Sequence, residues 1–252
     1  MGAFEGRVVI VTGAGQGIGY AIAKKFAEEG AVVIATGRTF SKVERTANEL
    51  APLKVVPFGM DCGKEEDWLR LVDLVSKEYG RLDVLVNNAG IEIGKDILHM
   101  TFEEFKSEET CNLESVFLGM KHCHDLLLKG ENPNIINVSS IAARKSGPSC
   151  GNDAGYSATK AAVCLLSRHA ANTYAPEGIR VNAILPGGVR TAIVERDLAG
   201  MEGADAFLSA LNPLPPHLAE PEDIAEIAWF VGSKGAFMTG SEIVADGGNL
   251  TH

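Results

Sequence analysis

Seven short apolar runs, each of strand length, recur along the chain: Val8 to Val11, Val32 to Ala35, Leu53 to Val56, Val84 to Val86, Ile135 to Val138, Val181 to Leu185 and Ile243 to Val244. Stretches with helical periodicity lie between them. Ile18 to Glu29 sets Ile22, Phe26 and Ala27 on one side, carries charges at Lys24, Lys25, Glu28 and Glu29, and is stopped by Gly30. Glu66 to Tyr79 sets Trp68, Leu69, Val72 and Val75 against Glu66, Asp67, Arg70 and Lys77. Strands alternating with amphipathic helices predict an α/β fold, a parallel sheet of about seven strands with helices on both faces. No repeat or low-complexity linker divides the sequence, so residues 1–252 are expected to form one domain. The stretch Thr191 to Pro221, with Gly200, Gly203, Pro213, Pro215 and Pro216, breaks the rhythm. It is expected to be a mobile flap, about 191–221, holding one or two short helices.

At 252 residues and 46% hydrophobic content the chain can bury a sizeable core. Its net charge of -10 is spread without long blocks, which argues against nucleic acid or an anionic membrane and for a small metabolite as partner. The first residues lack a charged segment followed by an apolar stretch, and no apolar run approaches the length of a membrane span, so a soluble, cytoplasmic protein is expected. Cys62, Cys111, Cys123, Cys150 and Cys164 are odd in number and show no Cys-x-x-Cys spacing. They predict reduced thiols, neither a disulfide framework nor a zinc site. In His122-Cys123-His124 the two imidazoles stand two apart on a helix and point to different faces, so no metal is expected there. The acidic run Glu103, Glu104, Glu108 and Glu109 reads as a solvated helix face.

The first strand leads directly into Thr12-Gly13-Ala14-Gly15-Gln16-Gly17-Ile18-Gly19, which opens the first helix. Glycines there let the backbone turn tightly and approach a pyrophosphate at the positive end of the helix. Gly13, Gln16, Gly17, Ile18 and Gly19 are therefore expected to contact a dinucleotide. After the second strand, Gly37 occupies the place of the carboxylate that would bind the ribose hydroxyls of NAD, and Arg38 follows with a guanidinium able to grip a phosphate. NADP(H) is thus expected in preference to NAD(H), although the glycine loop offers no second basic residue. Asp61 and Cys62 follow the third strand as further cofactor candidates. Asp61 either caps the adenine amino group or forms a turn.

Tyr156 and Lys160 stand four apart, one helical turn, so their side chains share a face. An ammonium beside a phenol favours the phenolate, bringing Tyr156 toward acid/base work near neutrality. Asn87-Asn88-Ala89-Gly90, Asn112, Ser139-Ser140, Pro186-Gly187, Thr239-Gly240-Ser241 and Asp246-Gly247-Gly248 complete an ordered set over nearly the whole chain. That set resembles the short-chain dehydrogenase/reductase family with a Tyr-x-x-x-Lys active site.

The resemblance implies a single Rossmann-type, doubly wound sheet and a catalytic tetrad of Asn112, Ser140, Tyr156 and Lys160. Ser140 would hold the substrate oxygen, Tyr156 would protonate it, and Lys160 would lower the Tyr156 pKa and bond the nicotinamide ribose. Asn112 would hold a water linking Lys160 to solvent. Asn88 and Gly90 would line the cofactor cleft, Pro186 and Gly187 would follow a strand at its edge, and Val189 and Thr191 would meet the nicotinamide carboxamide. Asn87 and Asn88 would also stabilise the central strands, while Asp246-Gly247-Gly248 would be a fold element near a subunit interface. The implied assembly is a homo-oligomer, a tetramer by family habit.

The implied activity is hydride transfer between NADP(H) and a secondary alcohol or ketone. Ile193, Met201, Phe207, Leu211 and Leu214, with Ile93 and Leu98, predict a hydrophobic pocket for a hydrophobic or cyclic substrate. Glu92, in a loop bordering the site, either binds a polar substrate group or is solvated. Alternatives within the family are a 3-oxoacyl-(acyl-carrier-protein) reductase and a hydroxysteroid dehydrogenase; a non-catalytic NADP-binding protein is the remote one. Residues 141–155 run about three residues longer than the family's commonest spacing, at the mouth of the substrate cleft.

Overall fold

The computed structural model describes residues 2–147 and 152–251. All seven expected strands form: β1 Val8–Thr12, β2 Val32–Gly37, β3 Val55–Gly59, β4 Val84–Asn87, β5 Asn134–Val138, β6 Arg180–Pro186 and β7 Glu242–Ala245. They build one parallel sheet in the order β3-β2-β1-β4-β5-β6-β7. The helices are α1 Gly17–Glu28, α2 Phe40–Glu49, α3 Glu65–Glu78, α4 Phe102–Glu109, α5 Ser115–Leu127, α6 Ala154–Tyr174, α7 Ala192–Leu198, α8 Ala204–Leu211 and α9 Pro221–Ser233. The third strand starts later than its apolar run. Pro57 sits in it without an N–H to donate, which is tolerated because β3 is the sheet edge.

Alternate side chains of each strand point to opposite faces, and both faces are buried. Val9, Val11, Val84, Val86 and Ile136 pack with Ile22 and Phe26 of α1 and Ile224 and Val231 of α9. Phe4 meets Phe26 edge-on at 4.7 Å. Val8, Ile10, Leu85 and Ile135 pack on the other face with Trp68, Leu71 and Val75 of α3, Met120 and Leu127 of α5 and Val163 of α6. The α3 stripe is rotated from its expected position: Leu71 is buried and Leu69 is exposed. Leu71 keeps the three- and four-residue steps with Trp68 and Val75, and Leu69 falls off that line.

The strand order reverses between β1 and β4, and polar side chains hold that seam. Thr12 Oγ1 accepts from Asn88 N (2.9 Å) and Ala89 N (3.0 Å), and Asn88 Nδ2 donates to Thr12 O at 2.8 Å. One strand over, Asn87 Nδ2 donates to Asn137 Oδ1 and Asn137 Nδ2 to Ser167 Oγ, both at 2.8 Å. Both buried amides donate through Nδ2, while Asn87 Oδ1 has no partner among the described residues.

The flap contains two helices, α7 and α8, between a bridge that pairs Val189 with Ala219. No helix among the described residues is long and apolar enough to cross a membrane. Gly119 of α5 lies so close to the sheet that an added Cβ would stand 2.6 Å from Asn87 Oδ1 and 2.8 Å from the Trp68 ring. Gly119→Ala is therefore expected to cost about 1–3 kcal/mol through overpacking. Thermal unfolding should show a midpoint lower by roughly 2–4 °C per kcal/mol.

Candidate active site

A cleft of about 670 Å³ crosses the C-terminal ends of the strands at the point where their order reverses, the usual place for a ligand in such sheets. Its nucleotide half starts at the turn after β1. Gly13 (φ 68°) and Gly17 (φ 55°) adopt left-handed backbone there. A Cβ on Gly19 would lie 2.3 Å from Gly13 O, so only glycine lets helix and turn approach this closely. This cradle, open at the N-terminus of α1, fits a pyrophosphate. Gln16 and Ile18 border it.

Arg38, just after β2, lines the cleft, and Lys42 of α2 lines it too. Lys42 Nζ donates to Gln16 Oε1 at 2.9 Å, tying α2 to the glycine turn. Sequence reasoning missed Lys42 because it searched the glycine loop for a second cation; Arg38 stands before the helix that carries Lys42, so helical spacing does not pair them. Asp61 lines the cleft and also forms the turn, its Oδ1 accepting from Gly63 N at 3.1 Å. The Cys62 and Cys111 thiols are free and lie on the cleft wall, where each acts on the other's titration. Cys62 pulls Cys111 down to about 7, with help from Lys160 and Arg38, while Cys62 is pushed up.

The four expected catalytic side chains come together from three elements. Asp153 caps α6 by accepting from Tyr156 N at 2.8 Å. Tyr156 thus sits in the first turn of the helix, with Lys160 one turn on, its Nζ 5.4 Å from the phenol ring centre. The Ser140 side chain, at the end of β5, lies near enough to the Tyr156 phenol to pull its pKa down, and its Oγ accepts from Ala142 N at 3.1 Å. Neighbouring Ser139 turns the other way and donates to Lys160 O at 2.8 Å. Asn112 lies in a π-helical turn, Thr110–Glu114, between α4 and α5, a form frequent at functional sites. Its amide spans the loop after β4: Oδ1 accepts from Ile91 N (2.8 Å) and Nδ2 donates to Ile91 O (2.9 Å). A Cβ on Gly90 would stand 3.2 Å from Asn112 Oδ1 and 3.4 Å from Lys160 Nζ. Asn88 and Gly90 border the cleft, as do Pro186, Gly187, Val189 and Thr191.

Burial dominates the electrostatics. It lowers Lys160 to about 8, and its ammonium donates to Val138 O at 2.9 Å. Burial also pushes Tyr156 up, reinforced by Glu92, Asp153 and Glu108, while Ser140 pulls it down. The expected lowering of Tyr156 by Lys160 is not what this environment produces: desolvation and three carboxylates outweigh a partly desolvated ammonium.

The substrate half of the cleft is lined by Ile141, Val194, Leu198, Met201, Phe207 and Leu211, and Glu92 borders it. Leu98 and Leu214 instead face solvent, and Ile93 lies outside the lining. The Ile193 side chain and residues 148–151 of the long 141–155 loop, Cys150 included, lie outside the described ones. His122 Nε2 pairs with Glu65 and His124 Nε2 with Glu177, on separate sides of α5. Among the described residues no group of three or more His, Cys, Asp or Glu is placed to hold a metal. The acidic run is not uniformly solvated: Glu108 is fully buried against the loop after β4.

A parallel sheet with a glycine cradle at its switch point and a Ser-Tyr-Lys cluster beside it defines a nucleotide-dependent oxidoreductase. The family profile "short chain dehydrogenase" matches residues 7–201. The chain is 38% identical to an NADP-dependent (R)-specific alcohol dehydrogenase of Lentilactobacillus kefiri, over 97% of this chain and 96% of that one. It is 34% identical to a 3-oxoacyl-(acyl-carrier-protein) reductase of Thermotoga maritima, over 97% and 98%. It is 35% identical to 3beta-hydroxysteroid dehydrogenase 1 of Eggerthella lenta, over 97% and 94%. The crystal structure of a short-chain type dehydrogenase/reductase from Mycobacterium marinum superposes with a TM-score of 0.91 at 30% identity, covering 98% of this chain and 96% of that one. The chain belongs to the short-chain dehydrogenase family. It is an NAD(P)-binding oxidoreductase of CH–OH groups.

Because Lys160 is lowered on burial, the unfolded chain binds more protons between about pH 8 and its ordinary value, and the native state gains stability as pH rises through that window. Lys160→Met is accordingly expected to match or exceed the native melting temperature at pH 7. The difference should shrink as the pH approaches 10 in pH-dependent thermal melts.

Proposed function

We propose that the protein reduces a hydrophobic or cyclic ketone to its secondary alcohol, with NADPH as the preferred cofactor. The observation that carries this reading is the placement of the Ser140 and Tyr156 hydroxyls on the wall of one cleft, between its polar and apolar halves. When bound, NADPH supplies the hydride. Ser140 and Tyr156 hold the carbonyl oxygen between them, and Tyr156 donates its phenolic proton to that oxygen as negative charge develops there. A phenol that burial keeps protonated is prepared for this direction. Lys160, anchored on Val138 O at 2.9 Å, would hold the cofactor ribose by donating to it. Asn112 fixes the loop that carries Gly90 and Ile91 through its side-chain amide.

Arg38 and Lys42 support NADPH: two cations flank the place after β2 where Gly37 leaves no carboxylate to repel a phosphate. The NADP dependence of the Lentilactobacillus relative points the same way. Exposed Phe117 of α5 and Leu165 of α6 support assembly into a homo-oligomer through these helices.

The test is NADPH oxidation over a panel of aliphatic and cyclic ketones, a ketosteroid and a 3-oxoacyl thioester. Turnover is expected with the hydrophobic ketones, and Tyr156→Phe should lose about a hundredfold or more in kcat; full activity in that variant would sink the mechanism. For the cofactor, Arg38→Ala and Lys42→Ala are each expected to raise the Kd of NADPH far more than that of NADH in fluorescence titrations. Equal losses for the two cofactors would remove the argument for NADPH.

A further inference from the structure

Glu108 and Asp153, on different elements, converge on a single N–H beside the catalytic helix. Ile93 N donates to Glu108 Oε1 at 2.8 Å and to Asp153 Oδ2 at 3.0 Å. Two carboxyl oxygens on one hydrogen lie too close for both groups to carry charge in a buried place, and both side chains are buried. Asp153 is the better anion of the two. It accepts from Gly94 N at 2.6 Å and Tyr156 N at 2.8 Å as well, and it caps the 21-residue α6 at its positive end. Glu108 has one N–H donor, and its Oε2 meets none among the described residues. That oxygen lies 2.2 Å from where a Cβ on Gly155 would stand, against the backbone preceding Tyr156.

We propose that Glu108 keeps one proton, which it donates to Asp153, and that this acid pair is a positioning device: it sets the loop 91–94 over the substrate cleft and the first turn of α6 that presents Tyr156. Burial, with Asp153 and Glu92 adding to it, pushes Glu108 up to about 7. The charged and titratable groups around it are Asp153 and Tyr156 on α6 and Glu92 in the loop. Its neighbours on α4 are already engaged, Glu104 with Lys95 at 2.6 Å and Glu109 with Lys106 at 2.5 Å. A raised carboxyl stabilises the fold at low pH and loses that contribution as pH rises through its native value, here near 7. Above that, two carboxylates press on the Ile93 N–H, and the loop and helix turn loosen together.

The experiment compares the full-length native chain with Glu108→Gln, which keeps the acceptor for Ile93 N and a donor for Asp153 but cannot ionise. Amide hydrogen exchange of Ile93, Gly94 and Tyr156, read without substrate, is expected to be equal in the two proteins at pH 6. At pH 8 it should be about tenfold faster in the native chain, one pH unit above the titration. The same protection ratio at both pH values overturns the proposal. So does a Glu108 carboxyl that titrates near 4.5 in carbon-13 NMR. The kinetic half rests on the reaction proposed above. The ratio of kcat/KM, variant over native, should rise from near one at pH 6 to about ten at pH 8, and a flat ratio removes the positioning role. Glu108→Ala, which deletes the bridge, should lose about a hundredfold in kcat/KM at pH 6. Because exchange and titration need no turnover, an inactive ketone panel would count against the reaction and leave the acid pair decided.

Discussion

The tie between Thr12 and the Asn88-Ala89 backbone is the constraint on which the rest of the site depends. At the seam between β1 and β4 successive connections leave the sheet in opposite directions, and a crevice opens beyond the strand ends. Thr12 closes the bottom of that crevice with its hydroxyl and carbonyl, both bonded across the seam. The glycine turn starts one residue later on one side, and the Gly90 to Gly94 loop starts two residues later on the other. Both halves of the cleft are therefore measured from one set of hydrogen bonds. The buried amides of Asn87 and Asn137 extend that stiffness one strand further, to the element ending in Ser139-Ser140.

Desolvation sets the chemical character of the cleft. Lys160 and Tyr156 lie in a region where uncharged forms are favoured, which lowers the amine and raises the phenol. The carboxyls of Glu92, Asp153 and Glu108 add to the rise at Tyr156. Such an environment favours a protonated phenol, and it makes the protonation of neighbouring acids matter to Tyr156. Glu108 and Asp153 are thus electrostatically part of the same neighbourhood as Tyr156, although their bonds are to backbone N–H groups.

Much of this was legible in the sequence. The seven apolar runs marked all seven strands because strands buried on both faces need apolar residues throughout. The spacing of Tyr156 and Lys160 placed both on one helix face because four residues make one turn. Glu108 was misread because a local acidic run carries no information about what packs against it; the covering loop comes from another part of the chain. Lys42 was passed over for a related reason: α2 folds back beside the glycine turn, a proximity absent from the order of residues. Leu98 and Leu214 were assigned to the pocket by hydrophobicity alone, and hydrophobicity does not say which way a loop side chain turns.

By itself the sequence determined the element types, their alternation and the family, since these follow from periodicity and from short motifs whose parts are adjacent in the chain. It also placed Ser140, Tyr156 and Lys160 on their elements. Only the tertiary structure decided how those elements meet: that Asn112 spends its amide on Ile91, that Lys42 joins Arg38 on the cleft wall, and that Glu108 shares one N–H with Asp153. Charge state belongs to this second group. A pKa is set by burial and by groups distant along the chain, and both come into existence only when the chain folds.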